Sequence, residues 1–290
     1  MQEFKQEGKQ KMEQEKQAQN VQNVENKNVQ NQKAQDIESQ NIRAQNVQNK
    51  DNTDAKLKDQ QEQIRESGEV MLDENAQRHK IFLLNIIGEI EGHECLASNL
   101  KTTKYEHVLP QLAQIEDSRE VDGLLILINT VGGDVEAGLA ISEMIAGMSI
   151  PSVSLVLGGS HSIGVPLAVS SDYSFIVPTA TMMIHPVRLN GMIIGVRQSY
   201  DYFKKIQDRI TGFVTKHCDI PEARLLELMM DTETLTRDVG SILVGAEAVK
   251  EGLIHEVGGI KEAMAKLHEL IEKNKHMCYT KTVMSENGIG

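Results

Sequence analysis

The stretch "LVLGGSHSIGVPLAV", residues 155–169, places two serines, a histidine and three glycines between apolar runs. Ser162 stands after a glycine-permitted turn, at the expected start of a helix. A serine there has two uses. It can cap the helix, a contribution of about 1 kcal/mol, or it can act as a nucleophile whose product oxyanion meets a helix-end N–H, here that of Ile163. On spacing alone, capping comes ahead of the nucleophilic reading. The stretch is not G-x-S-x-G, so the strand-to-helix elbow of the α/β-hydrolases is unsupported. His161 adjoins Ser162, and neighbouring side chains at a helix start diverge, which argues against it as the base. His185, closing the apolar "MMIH" before Pro186, is the candidate base. The plainer alternative is a strand-end histidine bonded to a carbonyl. In "INTVGGDVEAGLAI" the pair Gly132-Gly133 allows a turn or lets a main-chain N–H approach a substrate closely. No G-K-[ST] follows and G-x-G-x-x-G is absent, so neither nucleotide fingerprint applies.

These residues need elements to hold them. "IFLLNIIGEI" (81–90), "GLLILINT" (123–130) and "SVSLVL" (152–157) read as buried strands, with shorter ones at "YSFIVP" and "TMMIH". Residues 104–117 have helical spacing at Val108, Leu112 and Ile115, with Pro110 tolerable only near the first turn. Asp134 can cap a helix that turns Val135, Leu139, Ile141 and Ile145 inward. A long amphipathic helix is expected from 196 to 216, carrying Tyr200, Phe203, Ile206, Ile210 and Phe213 on one face, and a shorter one from 221 to 230. The alternation means an α/β domain with mostly parallel strands, whose sites form beyond the carboxyl ends of the strands. "TVGGD", "GGSHSIG" and His185 all fall there.

The remaining composition is uneven. Residues 1–68 hold sixteen glutamines, no proline and a single aromatic, Phe4. Too few large apolar residues occupy this stretch to offset its ordering entropy, so residues 1–70 read as a disordered Gln/Asn/Lys/Glu-rich tail. Residues 71–275 read as the folded domain and 276–290 as a polar tail. The net charge of −12 lies almost wholly in the folded part, because residues 1–68 carry eleven basic and twelve acidic side chains. An acidic body argues against nucleic acid and against a polybasic membrane anchor. There is no signal peptide and no long apolar run, so a cytoplasmic location is the default. Cys95, Cys218 and Cys278 are odd in number and widely spaced, which fits neither a disulfide framework nor a zinc site. Neither a metal nor an organic cofactor is expected.

Taken in order, "INTVGGDVEAGLAI", "GGSHSIGVPLAVSSDYSFIVPTATMMIHPV" and "TRDVGSILVGAEAVKEGLIHEVGGI" resemble the proteolytic subunit of Clp protease. Around Ser162 the chain reads most like the translocation-enhancing type within that superfamily, and the likeness runs from about 80 to 270. It implies a Clp protease/crotonase-like fold of repeated β-β-α units with a projecting long helix. It also implies Ser162 as nucleophile, His185 as base, and an oxyanion hole from Gly132 or Gly133 with Ile163. The family's acid lies just before "AEAVKEGLI", where ungapped alignment places Gly240. A two-residue shift reaches Asp238, and Asp231 in "MMDTET" is the weaker substitute. Val131 replaces a usual proline, and Ser160 and His161 replace small apolar residues. "RLNGMIIG" (188–195) is short and apolar where the family has a glycine-rich, peptide-binding strand.

The resemblance therefore implies a serine peptidase on peptides or unfolded protein, assembled as a homo-oligomeric ring, with a link to secretion or signal-peptide clearance. A partner ATPase is not readable. Two alternatives stand beside it: a silent scaffold recruiting through its tail, and a crotonase-like acyl-CoA enzyme. The second would rely on carboxylates rather than a serine and a histidine.

Overall fold

A computed structural model describes residues 70–72, 79–118, 120–188, 195–233 and 239–286. The chain divides into two units, Met1–Glu66 and Ser67–Gly290, and every described residue lies in the second.

Apolar runs of strand length build the centre. Strands β2 (Ile81–Glu91), β4 (Gly123–Gly133) and β5 (Ser152–His161) lie side by side and parallel, followed by β6 (Tyr173–Ile176) and β9 (Glu256–Val257). β1 (Val70–Leu72) adds to β2 antiparallel, and β3 (Thr102–Lys104) pairs with the far end of β2. β7 (Thr181–Ile184) pairs parallel with the last residues of β5 and antiparallel with β8 (Ser241–Val244). β5 thus changes partner along its length: Val153 to Val156 pair with β6, and Gly159 to His161 with β7. The fold is mixed α/β with a mostly parallel central sheet, as the alternation of apolar runs requires.

Helices α1 (Tyr105–Ser118), α2 (Val135–Ala146) and α3 (Gly164–Val169) follow β3, β4 and β5, and α4 (Val196–His217) and α5 (Glu222–Met229) complete that side. Their apolar faces join one core with Leu84, Ile126 and Ile128 of the sheet. α6 (Ala246–Lys250) precedes β9, and α7 (Ile260–Glu286) covers the opposite face. There Ala263, Leu267 and Ile271 recur at helical spacing against Leu125, Val153 and Phe175. Gly123 permits that approach, since a Cβ would stand 2.8 Å from Ile271 Cδ1.

Four local expectations change. Pro110 sits in the second turn of α1, inside the helix, where the carbonyl one turn back loses its donor. β4 and β5 run on through the glycines, to Gly133 and His161. The helix expected near Ser162 starts at Gly164, leaving Ser162 outside it. Along α4, Ile206 and Phe213 are buried, whereas Val196, Tyr200 and Tyr202 are 84%, 65% and 57% exposed. Of the apolar face inferred for the whole helix, Tyr200 faces solvent, and packing runs from the half-buried Phe203 to Phe213. Among the described residues, no helix is long and apolar enough to cross a membrane.

Leu267→Ala should cost about 2–5 kcal/mol of unfolding free energy, because it opens a cavity between α7 and the sheet. Urea titration followed by circular dichroism checks this.

Candidate active site

Ser162 owes its position to the last rung of the β5–β7 ladder. Its N–H donates to Met183 O at 2.8 Å, while its carbonyl already accepts Val165 N–H at 3.0 Å, opening α3. Both bonds are met only with a sharp turn, and Ser162 takes φ 56°, the one positive φ outside glycine among the described residues. Such a conformation costs about 1–2 kcal/mol for an L-residue, and residues held this way gather at functional sites. Capping does not explain the serine, since Ile163 holds the N-cap position of α3 and no side chain bonds there.

Gly132 and Gly133 come from a bulge in β4. Gly88 pairs with Thr130 and Glu89 with Gly132, so Val131 is the extra residue and turns outward. Gly132 (φ 95°) lies directly against the serine: a Cβ there would stand 2.8 Å from Ser162 Cβ. Its N–H donates to Thr130 Oγ1 at 3.0 Å, and that hydroxyl donates to Gly88 O at 2.6 Å. Gly133 (φ 147°) faces the cavity beside Ser162. Of the glycine pair, Gly132 therefore provides closeness while its N–H is engaged, and Gly133 presents main chain to the cavity. Thr130, buried at the end of an apolar strand, went unremarked in the sequence; its polarity at such a site was the available signal.

The cavity measures about 280 Å³ and is bounded by Ser162, Ile163 and Gly133 on one side and by His185 on another. Its remaining walls are mainly aliphatic, including Val135, Ile210 and Val214. The structure thus brings Ser162, Ile163, Gly133 and His185 to one concavity beyond the ends of β4, β5 and β7. His185 Nδ1 lies 2.7 Å from Pro186 O. A carbonyl only accepts, so Nδ1 carries the proton and the neutral ring has its lone pair on Nε2.

His161 points elsewhere. Its Nε2 bonds Thr181 Oγ1 at 2.8 Å, and the ring folds back over Gly159. Burial first, and then the charge of nearby His185, push its pKa below the ordinary histidine value. Ser160 is fully buried and donates to Gly164 O at 2.7 Å, which removes it as a nucleophile.

Gly240, at the ungapped acid position, packs against His185: a Cβ there would meet His185 Cβ at 2.8 Å and Ile184 O at 2.3 Å. No side chain fits at this point. Asp231 closes the neck of the same segment. Its main-chain carbonyl accepts Gly240 N–H at 2.7 Å, and its carboxylate accepts Glu233 N–H and Ser241 Oγ–H at 2.8 and 3.3 Å. Asp238 lies outside the described residues, as does most of the 188–195 stretch. Among the described residues, no cluster of histidine, cysteine or carboxylate side chains could hold a metal.

Residues 78–261 match the family model for Clp protease. The translocation-enhancing protein TepA of Halalkalibacterium halodurans is 55% identical over 214 residues, covering 74% of this chain and 83% of that protein. The ATP-dependent Clp protease proteolytic subunit of Deinococcus radiodurans is 27% identical over 154 residues, 52% of this chain and 72% of that protein. The corresponding subunit of Leuconostoc citreum is 25% identical over 138 residues, 45% of this chain and 64% of that protein. With the family match covering more than half of its length, the chain belongs to the Clp protease family.

Proposed function

We propose that this protein is a serine peptidase acting on peptides or unfolded protein, with Ser162 as nucleophile and His185 as general base. The observation that carries the reading is the φ 56° turn at Ser162, which sets the serine on the wall of a cavity it shares with His185. Ser162 Oγ attacks the scissile carbonyl carbon, and its proton passes to His185 Nε2. The carbonyl π electrons move to oxygen, and the N–H groups of Gly133 and Ile163 hold the oxyanion. On collapse the C–N bond breaks, and the amine leaves with the proton from His185. Water then attacks the acyl-serine by the same route, releasing the acid and restoring Ser162.

Asp238 is the proposed third member. Two residues of chain, at most about 7 Å, separate it from Gly240, whose backbone abuts His185. A carboxylate there would stabilise the imidazolium formed during attack.

Assembly into a homo-oligomeric ring is part of the proposal. It is supported by the exposed apolar side chains in the first half of α4, which a single chain leaves facing solvent. A connection to protein translocation follows the name of the TepA relative.

A fluorophosphonate probe should label the full-length protein, and Ser162→Ala and His185→Ala should each abolish labelling. An unlabelled wild type, shown to be folded, would favour a silent scaffold. Asp238→Asn should slow labelling at least a hundredfold; a rate unchanged within threefold would remove Asp238 from the mechanism.

Gly138 of α2 packs on Ile163, where a Cβ would stand 2.4 Å from Ile163 Cγ1. Gly138→Val should therefore displace the proposed oxyanion donor and slow labelling more than tenfold while the protein stays folded by circular dichroism. In sedimentation velocity, a Tyr200→Glu, Tyr202→Glu double variant should run as a smaller species than the wild type.

A further inference from the structure

Two walls of the cavity belong to different helices. Val135, the first residue of α2, lines it from one side, and Ile210 and Val214 of α4 line it from the other. The residue next to each facing pair is charged. Glu136 follows Val135, Arg209 precedes Ile210, and the two side chains meet in a fork: Nη1 to Oε1 at 2.6 Å and Nη2 to Oε2 at 2.8 Å. Each partner shifts the other as a paired ion should. The Arg209 hydrogen bond holds Glu136 below the ordinary carboxylate value, and Glu136 holds Arg209 above the ordinary guanidinium value.

Beneath the ion pair α2 and α4 do not close on each other. A cleft of about 390 Å³ separates them, floored by Leu139, Ala140, Gly212 and Phe213. Leu139 and Phe213 are buried at its floor, in the core that α2 and α4 share. Above that floor the fork spans the groove, and a bidentate guanidinium–carboxylate pair specifies both distance and orientation. About half of each side chain is exposed, so the pair adds little to global stability. Its effect falls on geometry.

We propose that the Arg209–Glu136 pair is a clasp that sets the spacing of α2 and α4, and with it the size of apolar substrate side chain admitted beside Ser162. The proposal rests on the peptidase reading. Arg209 and Glu136 are positioning residues: they touch neither the serine nor the histidine, and they act through Val135, Ile210 and Val214. Releasing the clasp lets α4 move away from α2, so the cavity accepts larger side chains and discriminates less among them.

The test compares second-order labelling rates of the full-length protein with peptidyl diphenyl phosphonates that place Ala, Leu or Phe in the cavity. A small alkyl fluorophosphonate, carrying no such side chain, is the control. Arg209→Ala should raise the Phe-to-Leu rate ratio about tenfold and leave the control rate within twofold. Arg209→Lys keeps the charge without the fork and should fall between. The swap Glu136→Arg with Arg209→Glu should return the ratio toward wild type, which a general loosening would not do. Should Arg209→Ala fail to fold, Glu136→Gln and the unmodified protein in 1 M salt give the same comparison, each with a raised ratio expected. A wild type that the control fails to label sinks the peptidase reading. A labelled wild type whose ratio stays within twofold in Arg209→Ala and Glu136→Gln sinks the clasp alone.

Discussion

The site depends on one hydrogen bond, from Ser162 N–H to Met183 O. β5 begins beside β6 and ends beside β7, and this bond is the final rung on the new partner. Because the rung extends to Ser162 itself, the chain must leave the ladder and enter α3 within one residue. The result is φ 56° at a residue with a β-carbon. Burial of Ile163 and Val165 just beyond the turn offsets that strain, at about 1.5–3 kcal/mol for each fully buried aliphatic side chain. The same switch of partner brings His185 to the site, since it follows directly on β7.

A second irregularity, one strand over, completes the arrangement. The bulge at Val131 shifts β4 by one residue against β2 and brings Gly132 against Ser162 Cβ. Thr130 holds the bulge through two bonds, to Gly88 O and from Gly132 N–H. A side chain at position 132 would collide with Ser162, and one at 133 would stand 2.3 Å from Ile90 O. Both glycines are thus required by close approach as well as by backbone conformation.

Polar groups around the site are assigned by geometry more than by type. Two serines and two histidines compete for the same roles in the sequence. Ser160 is spent on Gly164 O and His161 on Thr181. His185 keeps Nε2 as acceptor because Nδ1 donates to Pro186 O. The segment from Asp231 to Gly240 is pinned at both ends, and its second end lies against His185.

The apolar periodicity determined a good deal without any coordinates. Runs such as "GLLILINT" and the helical spacing of Val108, Leu112 and Ile115 can bury their surface only as strands and helices of an α/β domain. Motif order pointed to Ser162 and His185, and the adjacency of His161 to Ser162 was enough to argue it out of the role of base. What local pattern could not supply was anything fixed by residues distant in the chain. That Gly132 N–H is taken by Thr130, that Gly240 leaves no room for a side chain beside His185, and that Arg209 grips Glu136 all depend on contacts across 2, 55 and 73 positions. The first is near in sequence but exists only because the bulge turns one residue out of register. Periodicity reports which face of an element is buried; partner, register and close approach are decided when the elements pack, because only then do main-chain donors and side chains compete for the same space.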